Sequence, residues 1–291
     1  MNEYEQLESN LIVLPNDFGA IVNDFNVTKI INTEASAALK DLLHRYKILI
    51  FKKQALSDEE LIRFSTYFGE LFTTGKHNPA LGSDKKTSPI VYIGNNTEKY
   101  KQAYLGHQEV FRHSDHQWLE KPSSVSMLYA IEIDEGAPDT LWTDMVAAYQ
   151  LLPKQMKERI ADIDIITFNP FFRPFGEVRS KYIDILKTVP PGNTFPHPLV
   201  RSHSTTGDKI LYLHEAYEME FKDLNFQTGS LLHHHLVSHI NSINCEYSHS
   251  WEKDDLVVWD NQSTSHYRTS FDGEISRVLK RISIAGSKPI R

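Results

Sequence analysis

The chain reads as an α+β protein: a double-stranded β-helix (jelly roll) core flanked by helices. Three observations point there. Helical periodicity is strongest early in the chain. Short apolar, strand-like runs separated by turns dominate much of the rest. The residues with the chemistry of a metal site, His113-Ser114-Asp115 and His266, lie beside strand-like runs about 150 residues apart. Antiparallel strands flanking a central site bring such distant positions together.

Taken in order, Phe18 to Phe25 reads as a strand. Thr33 caps a helix through Tyr46, with Ala37, Leu39, Leu42 and Leu43 at helical spacing. Lys47 to Phe51 reads as a buried strand. Ser57 with Glu60 three residues on is a capping-box signature, opening a helix that stops near Gly69. Pro89 to Trp142 is mostly short strands and turns, with Ser124 to Ile133 the strongest strand. Helices are expected over Met145 to Leu152 and Lys154 to Ile160. The Pro- and Phe-rich stretch 169–198 reads as a lid-like insertion, since long loops in compact domains usually carry function. Lys209 to His214 is a strand, and Thr228 to Ile243 a helix with Leu231, Leu232, Leu236 and Ile240 inward. Asp255 to Trp259 and Ser276 to Ala285 close the pattern as strands. No repeat or low-complexity linker divides the chain, so one domain over 1–291 is expected.

Composition narrows the function. The chain is 40% hydrophobic and 24% charged, ordinary for a globular protein. A net charge of −7 argues against nucleic acid as the partner. The longest apolar runs are too short to span a bilayer, which argues against a membrane partner. Met1 to Asn10 lacks the basic-then-apolar order of a signal peptide, and the single cysteine, Cys245, cannot form an internal disulfide; a cytoplasmic protein is expected. A small-molecule substrate is the expected partner, with a homo-oligomer compatible with the chain's size.

On a strand, side chains two apart share a side, so His113 and Asp115 can reach one metal while Ser114 points away. His266, after the strand ending at Trp259 and a polar turn, supplies the third ligand. Two imidazoles and one carboxylate on one face of a metal suit non-haem Fe(II) and leave positions open for reactants. An H-x-D triplet alone occurs by chance. Arg277 and Arg281, eleven and fifteen residues beyond His266, make the pattern specific. Other histidines among the 14 fit a metal less well. His233, His234 and His235 fan out about 100° apart on a helix and cannot share an ion. His107, His214 and His249 have no partner at ligand spacing; His197 and His203 flank Arg201 beside the lid.

Taken together these residues resemble the taurine dioxygenase-like Fe(II)/2-oxoglutarate-dependent oxygenases over nearly the whole chain. The likeness runs through Leu49 to Gln54 with Phe68-Gly69-Glu70-Leu71, then His113-Ser114-Asp115 and Asp139-Thr140-Leu141-Trp142, with Thr140 placed 27 residues after His113. It continues through His197 to His203, Trp259-Asp260-Asn261 with His266-Tyr267, and the two late arginines. The resemblance implies that His113, Asp115 and His266 bind Fe(II). It implies that Arg277 forks onto the distal carboxylate of 2-oxoglutarate and Thr140 donates a hydroxyl to it. O₂ is the second co-substrate, and the implied reaction removes a hydrogen atom from a substrate carbon while 2-oxoglutarate becomes succinate.

The substrate-binding candidates are Arg281, Glu109, His116, Trp118, Arg201 and Phe172, with Phe171 and Phe175 beside the last. Glu109 stands where the taurine enzyme has an amide, which points away from taurine. The phrases Gly106-His107-Gln108-Glu109-Val110 and His113-Ser114-Asp115-His116-Gln117-Trp118 resemble the oxygenases paired with isonitrile synthases in bacterial secondary metabolism. These act on tyrosine isonitrile and desaturate it, with or without loss of its carboxylate. A hydroxylase of taurine-like sulfonates or other small acids is the alternative. A zinc hydrolase, or a jelly-roll binding protein without catalysis, is the reading from other classes.

Overall fold

A computed structural model describes residues 3–72, 88–169, 182 and 194–291. The chain opens with helix α1 (Glu3–Ser9), strands β1 (Leu11–Val13) and β2 (Ala20–Val22), helix α2 (Thr33–Tyr46), strand β3 (Ile48–Phe51) and helix α3 (Asp58–Thr66). Strands β4 (Val91–Gly94), β5 (Tyr104–Leu105), β6 (Val110–His113), β7 (Val125–Ile133) and β8 (Thr140–Asp144) follow. Then come α4 (Met145–Gln150), α5 (Lys154–Ile160), β9 (Asp164–Thr167), β10 (Pro196–Pro198), β11 (Val200–Ser202), β12 (Lys209–Leu211) and β13 (Met219–Phe221). The chain closes with α6 (Phe226–Ser242), β14 (Glu246–His249), β15 (Leu256–Asp260), β16 (Thr264–Arg268) and β17 (Arg277–Ile284).

Two sheets make the jelly roll. The larger has the order β1-β2-β3-β15-β7-β17-β4-β5, and the smaller β14-β8-β16-β6. Period-two alternation decides what each strand of the large sheet gives to which side. Leu49 and Phe51 of β3, Leu256 and Val258 of β15, and Ile282 and Ile284 of β17 join one apolar core with the buried residues of α2 and α3. Ile48, Ile50, Val257, Trp259 and Leu279 point the other way and pack with Trp142 of the small sheet. Arg277 and Arg281 are two residues on either side of Leu279, so the strand period turns both toward that inner side. A third core joins α4, α5 and α6 to the strands between β9 and β13.

The helical expectations hold well. The α3 capping box is present, with Ser57 Oγ accepting from Glu60 N at 3.2 Å and Glu60 Oε2 accepting from Ser57 N at 2.8 Å. At α2 the cap is Asn32, one residue before the expected Thr33, accepting from Ala35 N at 2.7 Å. The first strand shrinks to Ala20–Val22 because the chain turns at Gly19 and Asp24, both at positive φ. Leu231, expected inside α6, is 55% exposed; Gly229, Leu232, Leu236 and Ile240 define the inward stripe. Of the expected lid, Asn169, Tyr182 and 194–198 are described; Phe171, Phe172 and Phe175 lie outside the described residues. No helix among the described residues is long and apolar enough to cross a membrane.

Candidate metal centre and its cavity

Strand pairing brings the two imidazoles together. β16 pairs antiparallel with β6, setting His266 directly against His113, and their ring centroids are 4.2 Å apart. Asp115 arrives differently from the strand spacing expected. β6 ends at His113, and the chain then turns, with His116 in the left-handed region at φ 61°. Asn261 clamps this turn: its Oδ1 accepts from Asp115 N at 2.8 Å and its Nδ2 donates to the Asp115 carbonyl at 3.1 Å and the Ser123 carbonyl at 2.9 Å. Ser114 does point away, donating to the Thr264 carbonyl at 2.9 Å. One donor atom from each of His113, Asp115 and His266 then lies within 4.8 Å of the others, all three buried.

The electrostatics suit a cation. His113 Nδ1 sits 2.8 Å from the Phe111 carbonyl, a contact that a ring N–H satisfies, leaving Nε2 as the free donor atom toward Asp115. Burial pushes the His113 pKa down against the pull of Asp115. Burial and then His113 push His266 down to about 3, so both rings are neutral and free to offer a ring nitrogen to a metal. Burial alone would raise Asp115, but the Arg281 guanidinium at 2.8 Å overrides it and holds the carboxyl well below the usual carboxylate range. Ser126 Oγ donates to the other Asp115 oxygen at 2.7 Å. Two neutral imidazoles and one ionised carboxylate fit the donor set of ferrous iron.

Beside this cluster lies a partly open cavity, lined by Ile93, Leu105, Val110, Leu128, Tyr267 and the chemistry-bearing residues His113, Thr140, His266, Arg268, Arg277 and Arg281. Arg277 is 3% exposed, donates from Nη2 to Thr140 Oγ1 at 2.8 Å and from Nε to the Pro138 carbonyl at 3.0 Å. Trp251 Nε1 donates to the same Thr140 oxygen at 2.9 Å. A hydroxyl has two acceptor lone pairs and one proton. Both lone pairs are taken, so the Thr140 proton is left to be given to an acceptor in the cavity.

Next to Arg281 stand aromatic groups. Tyr104 accepts from Arg281 Nη2 at 3.2 Å. Tyr217 packs against the ring of His113 at 5.5 Å and against Trp118 at 5.0 Å. The loop bearing Tyr217 is docked on β6, since Glu215 N and Ala216 N both donate to the Arg112 carbonyl. His116 is buried, stacks on Phe72 at 4.0 Å with Nδ1 facing Ser123 Oγ, and is pushed down to about 3 by burial and then Arg281.

Of the residues expected at the site, His113, Asp115, Thr140, His266, Arg277 and Arg281 converge. Trp118 and His116 lie on its aromatic flank. Arg201 and Glu109 are not among the cavity residues. Arg201 is buried elsewhere, donating to Gln262 Oε1 at 3.0 Å and lying 4.6 Å over the Tyr212 ring. Glu109 is exposed, because it sits ahead of β6 on the outer side, and its charge falls on Glu215. His203 pairs with Asp260 at 2.9 Å, away from the cluster. Sequence reasoning missed Arg268, Tyr104, Tyr217 and Ser126. Arg268 alone had a signal, lying two residues past His266 on the same strand.

Comparison with known proteins agrees with this geometry. The chain is 27% identical over 277 residues to the α-ketoglutarate-dependent 2,4-dichlorophenoxyacetate dioxygenase of Cupriavidus pinatubonensis, covering 91% of this chain and 93% of that one. It is 25% identical to the pentalenolactone F synthase of Streptomyces arenae, covering 91% of each. The fold matches the crystal structure of a taurine dioxygenase from Burkholderia xenovorans with a TM-score of 0.76 at 22% identity, covering 96% of this chain and 92% of that one. Residues 10–283 match the taurine catabolism dioxygenase TauD, TfdA family. The jelly-roll expectation is thereby met, the hydrolase and binding-protein readings give way, and the chain belongs to this family of Fe(II)- and 2-oxoglutarate-dependent dioxygenases, which take O₂ as co-substrate.

Proposed function

We propose that the chain oxidises a small anionic substrate, an aromatic carboxylate of the tyrosine isonitrile kind, and that His113, Asp115 and His266 hold its iron. One observation carries the substrate class: three arginines line the cavity, and among the described residues Asp115 is the one carboxylate facing them at ion-pair distance. An excess of buried positive charge calls for anions. Arg277 and Thr140 take the distal carboxylate of 2-oxoglutarate, and Arg281 is left for the substrate's acid group.

The aromatic flank supports an aromatic substrate. Tyr104, Tyr217 and Trp118 surround the Arg281 side of the cluster, and rings of this kind favour edge-to-face contact with another ring. The 2,4-dichlorophenoxyacetate relative is named for an acid of this chemistry, a carboxylate carried on an aromatic ether. The Gly106 to Val110 and His113 to Trp118 phrases support the isonitrile assignment.

When bound, ferrous iron supplies the redox chemistry that couples O₂ and 2-oxoglutarate to C–H cleavage. The protein's own work is placement. Asn261 holds the Asp115 backbone, Ser126 holds its carboxylate, and the Phe111 carbonyl fixes the His113 ring. Arg277 and Thr140 orient the keto acid, and the apolar residues Ile93, Leu105 and Leu128 exclude water. For desaturation the balance is substrate, 2-oxoglutarate and O₂ giving alkene, succinate, CO₂ and water; a hydroxylation retains one oxygen in the product instead.

Two measurements test this. Anaerobic Fe(II) with 2-oxoglutarate should give a weak visible charge-transfer band. Incubation with tyrosine isonitrile under ¹⁸O₂ should give a product two hydrogens lighter, or one that has also lost CO₂, without the label. A labelled hydroxyl would replace desaturation by hydroxylation. Turnover of taurine with none of tyrosine isonitrile would overturn the substrate class.

A further inference from the structure

Arg268 lies two residues past His266 on β16, on the same side of the strand. The pairing of β16 with β8 runs His266 against Trp142 and Tyr267 against Leu141. Continuing that register one step would set Arg268 opposite Thr140, and directly opposed side chains in an antiparallel pair are neighbours. Thr140 is also the residue whose hydroxyl accepts from Arg277. Both arginines, one from each sheet, line the same cavity as that hydroxyl.

Both arginines are almost fully buried, at 4% and 3% exposure. Arg268 donates to the carbonyls of Thr269 at 3.0 Å and Gly106 at 3.2 Å, and lies 4.8 Å over the Phe271 ring. These partners are all neutral. Neither arginine has a carboxylate within 4.0 Å among the described residues; Asp139 acts on Arg277 from beyond that distance. Burial, and after it the charge of Arg268, hold Arg277 down to about 9. A buried cation without a counter-ion is costly, and two adjacent ones more so. The arrangement is explained by an anion that enters and neutralises both.

We propose that Arg268 is a second cationic contact for the distal carboxylate of 2-oxoglutarate, shared with Arg277 and Thr140. This rests on the assignment of the Arg277 end of the cavity to that co-substrate. The stoichiometry of acceptors allows it. A carboxylate offers about four acceptor positions; the Arg277 fork takes two, the Thr140 hydroxyl a third, and one is left for Arg268.

The test compares binding of 2-oxoglutarate with that of 2-oxopentanoate, which has the same chain without the distal carboxylate. Both are titrated calorimetrically, without O₂, into the full chain loaded with Mn(II). In the wild type the dicarboxylate should bind far more tightly. Arg268→Ala should weaken 2-oxoglutarate by about tenfold or more and leave 2-oxopentanoate unchanged, with Arg268→Lys recovering part of the loss. A role confined to tying the Gly106 loop would weaken both ligands alike or neither, and either result overturns the proposal. If Arg277→Ala loses the preference while Arg268→Ala keeps it, Arg268 is eliminated and the co-substrate site stands. If the wild type shows no preference, both assignments fall. Should Arg268→Ala not fold, Arg268→Gln, which keeps donors for the two carbonyls without the charge, makes the same comparison.

Discussion

Arg281 Nη1 lies 2.8 Å from Asp115 Oδ1, so one carboxylate is both the anionic member of the His–Asp–His cluster and the counter-ion of a buried arginine. Removing one partner of a buried pair strands the other, at roughly 3–5 kcal/mol. Arg281→Ala is therefore expected to destabilise the metal-free protein by about 3 kcal/mol. Adding Mn(II) should recover part of this, because a bound cation replaces the lost charge beside Asp115. Urea midpoints with and without metal read it directly. An equal loss in both conditions would mean that Asp115 does not face the metal.

The cluster itself makes a plainer demand. His113→Ala removes one of three donors that lie within 4.8 Å of each other. It should abolish turnover and reduce the metal retained after gel filtration, measured by atomic emission, while far-ultraviolet circular dichroism stays that of the wild type. Wild-type metal content in the variant would refute the ligand assignment.

On the proposed reading Arg277 and Thr140 act on the keto acid together, since Arg277 Nη2 donates to the hydroxyl at 2.8 Å. Loss of a buried charge-assisted hydrogen bond of about 3 kcal/mol corresponds to about a hundredfold, so Arg277→Ala should raise the 2-oxoglutarate KM by that factor or more. Thr140→Val keeps the shape and removes one neutral donor, so about tenfold is expected. It also leaves Trp251 Nε1 without its acceptor. A KM unchanged in Arg277→Ala, from succinate release, would remove Arg277 from the co-substrate site.

Much of the site was legible because strand geometry is periodic. The four-residue interval between Arg277 and Arg281 keeps both on one side of β17, and the helix α3 announced itself by Ser57 and Glu60. Asp115 was legible as a candidate ligand but for an incomplete reason. Its direction comes from a turn held by Asn261, 146 residues away, and no local pattern encodes that. Tyr104 and Tyr217 were hidden for the same cause: each reaches the cluster through contacts with Arg281 or His113 that only folding creates. Glu109 illustrates the converse. It is four residues from His113, yet lies on the exposed approach to β6.

Away from the cavity, Asp255 links three elements and gives the fold an acid-sensitive joint. Its Oδ2 accepts from Lys52 Nζ at 2.7 Å, His249 Nε2 at 3.1 Å and Glu252 N at 3.0 Å. Burial by itself would raise the Asp255 pKa, but the His249 and Lys52 contacts outweigh it and hold the group below its ordinary value of 3.8. A carboxylate whose folded pKa is depressed binds protons more weakly in the native state than in the unfolded one. Its stabilising contribution is then full above the unfolded pKa and is lost as pH falls through the folded one. Asp255→Asn should cost about 2 kcal/mol at pH 6, the scale of a hydrogen bond to a charged group, and progressively less below about pH 4. Urea midpoints of wild type and variant should therefore converge as the solution is acidified from pH 6 to pH 3. A gap that stays constant across that range would show that the loss is one of packing and not of charge.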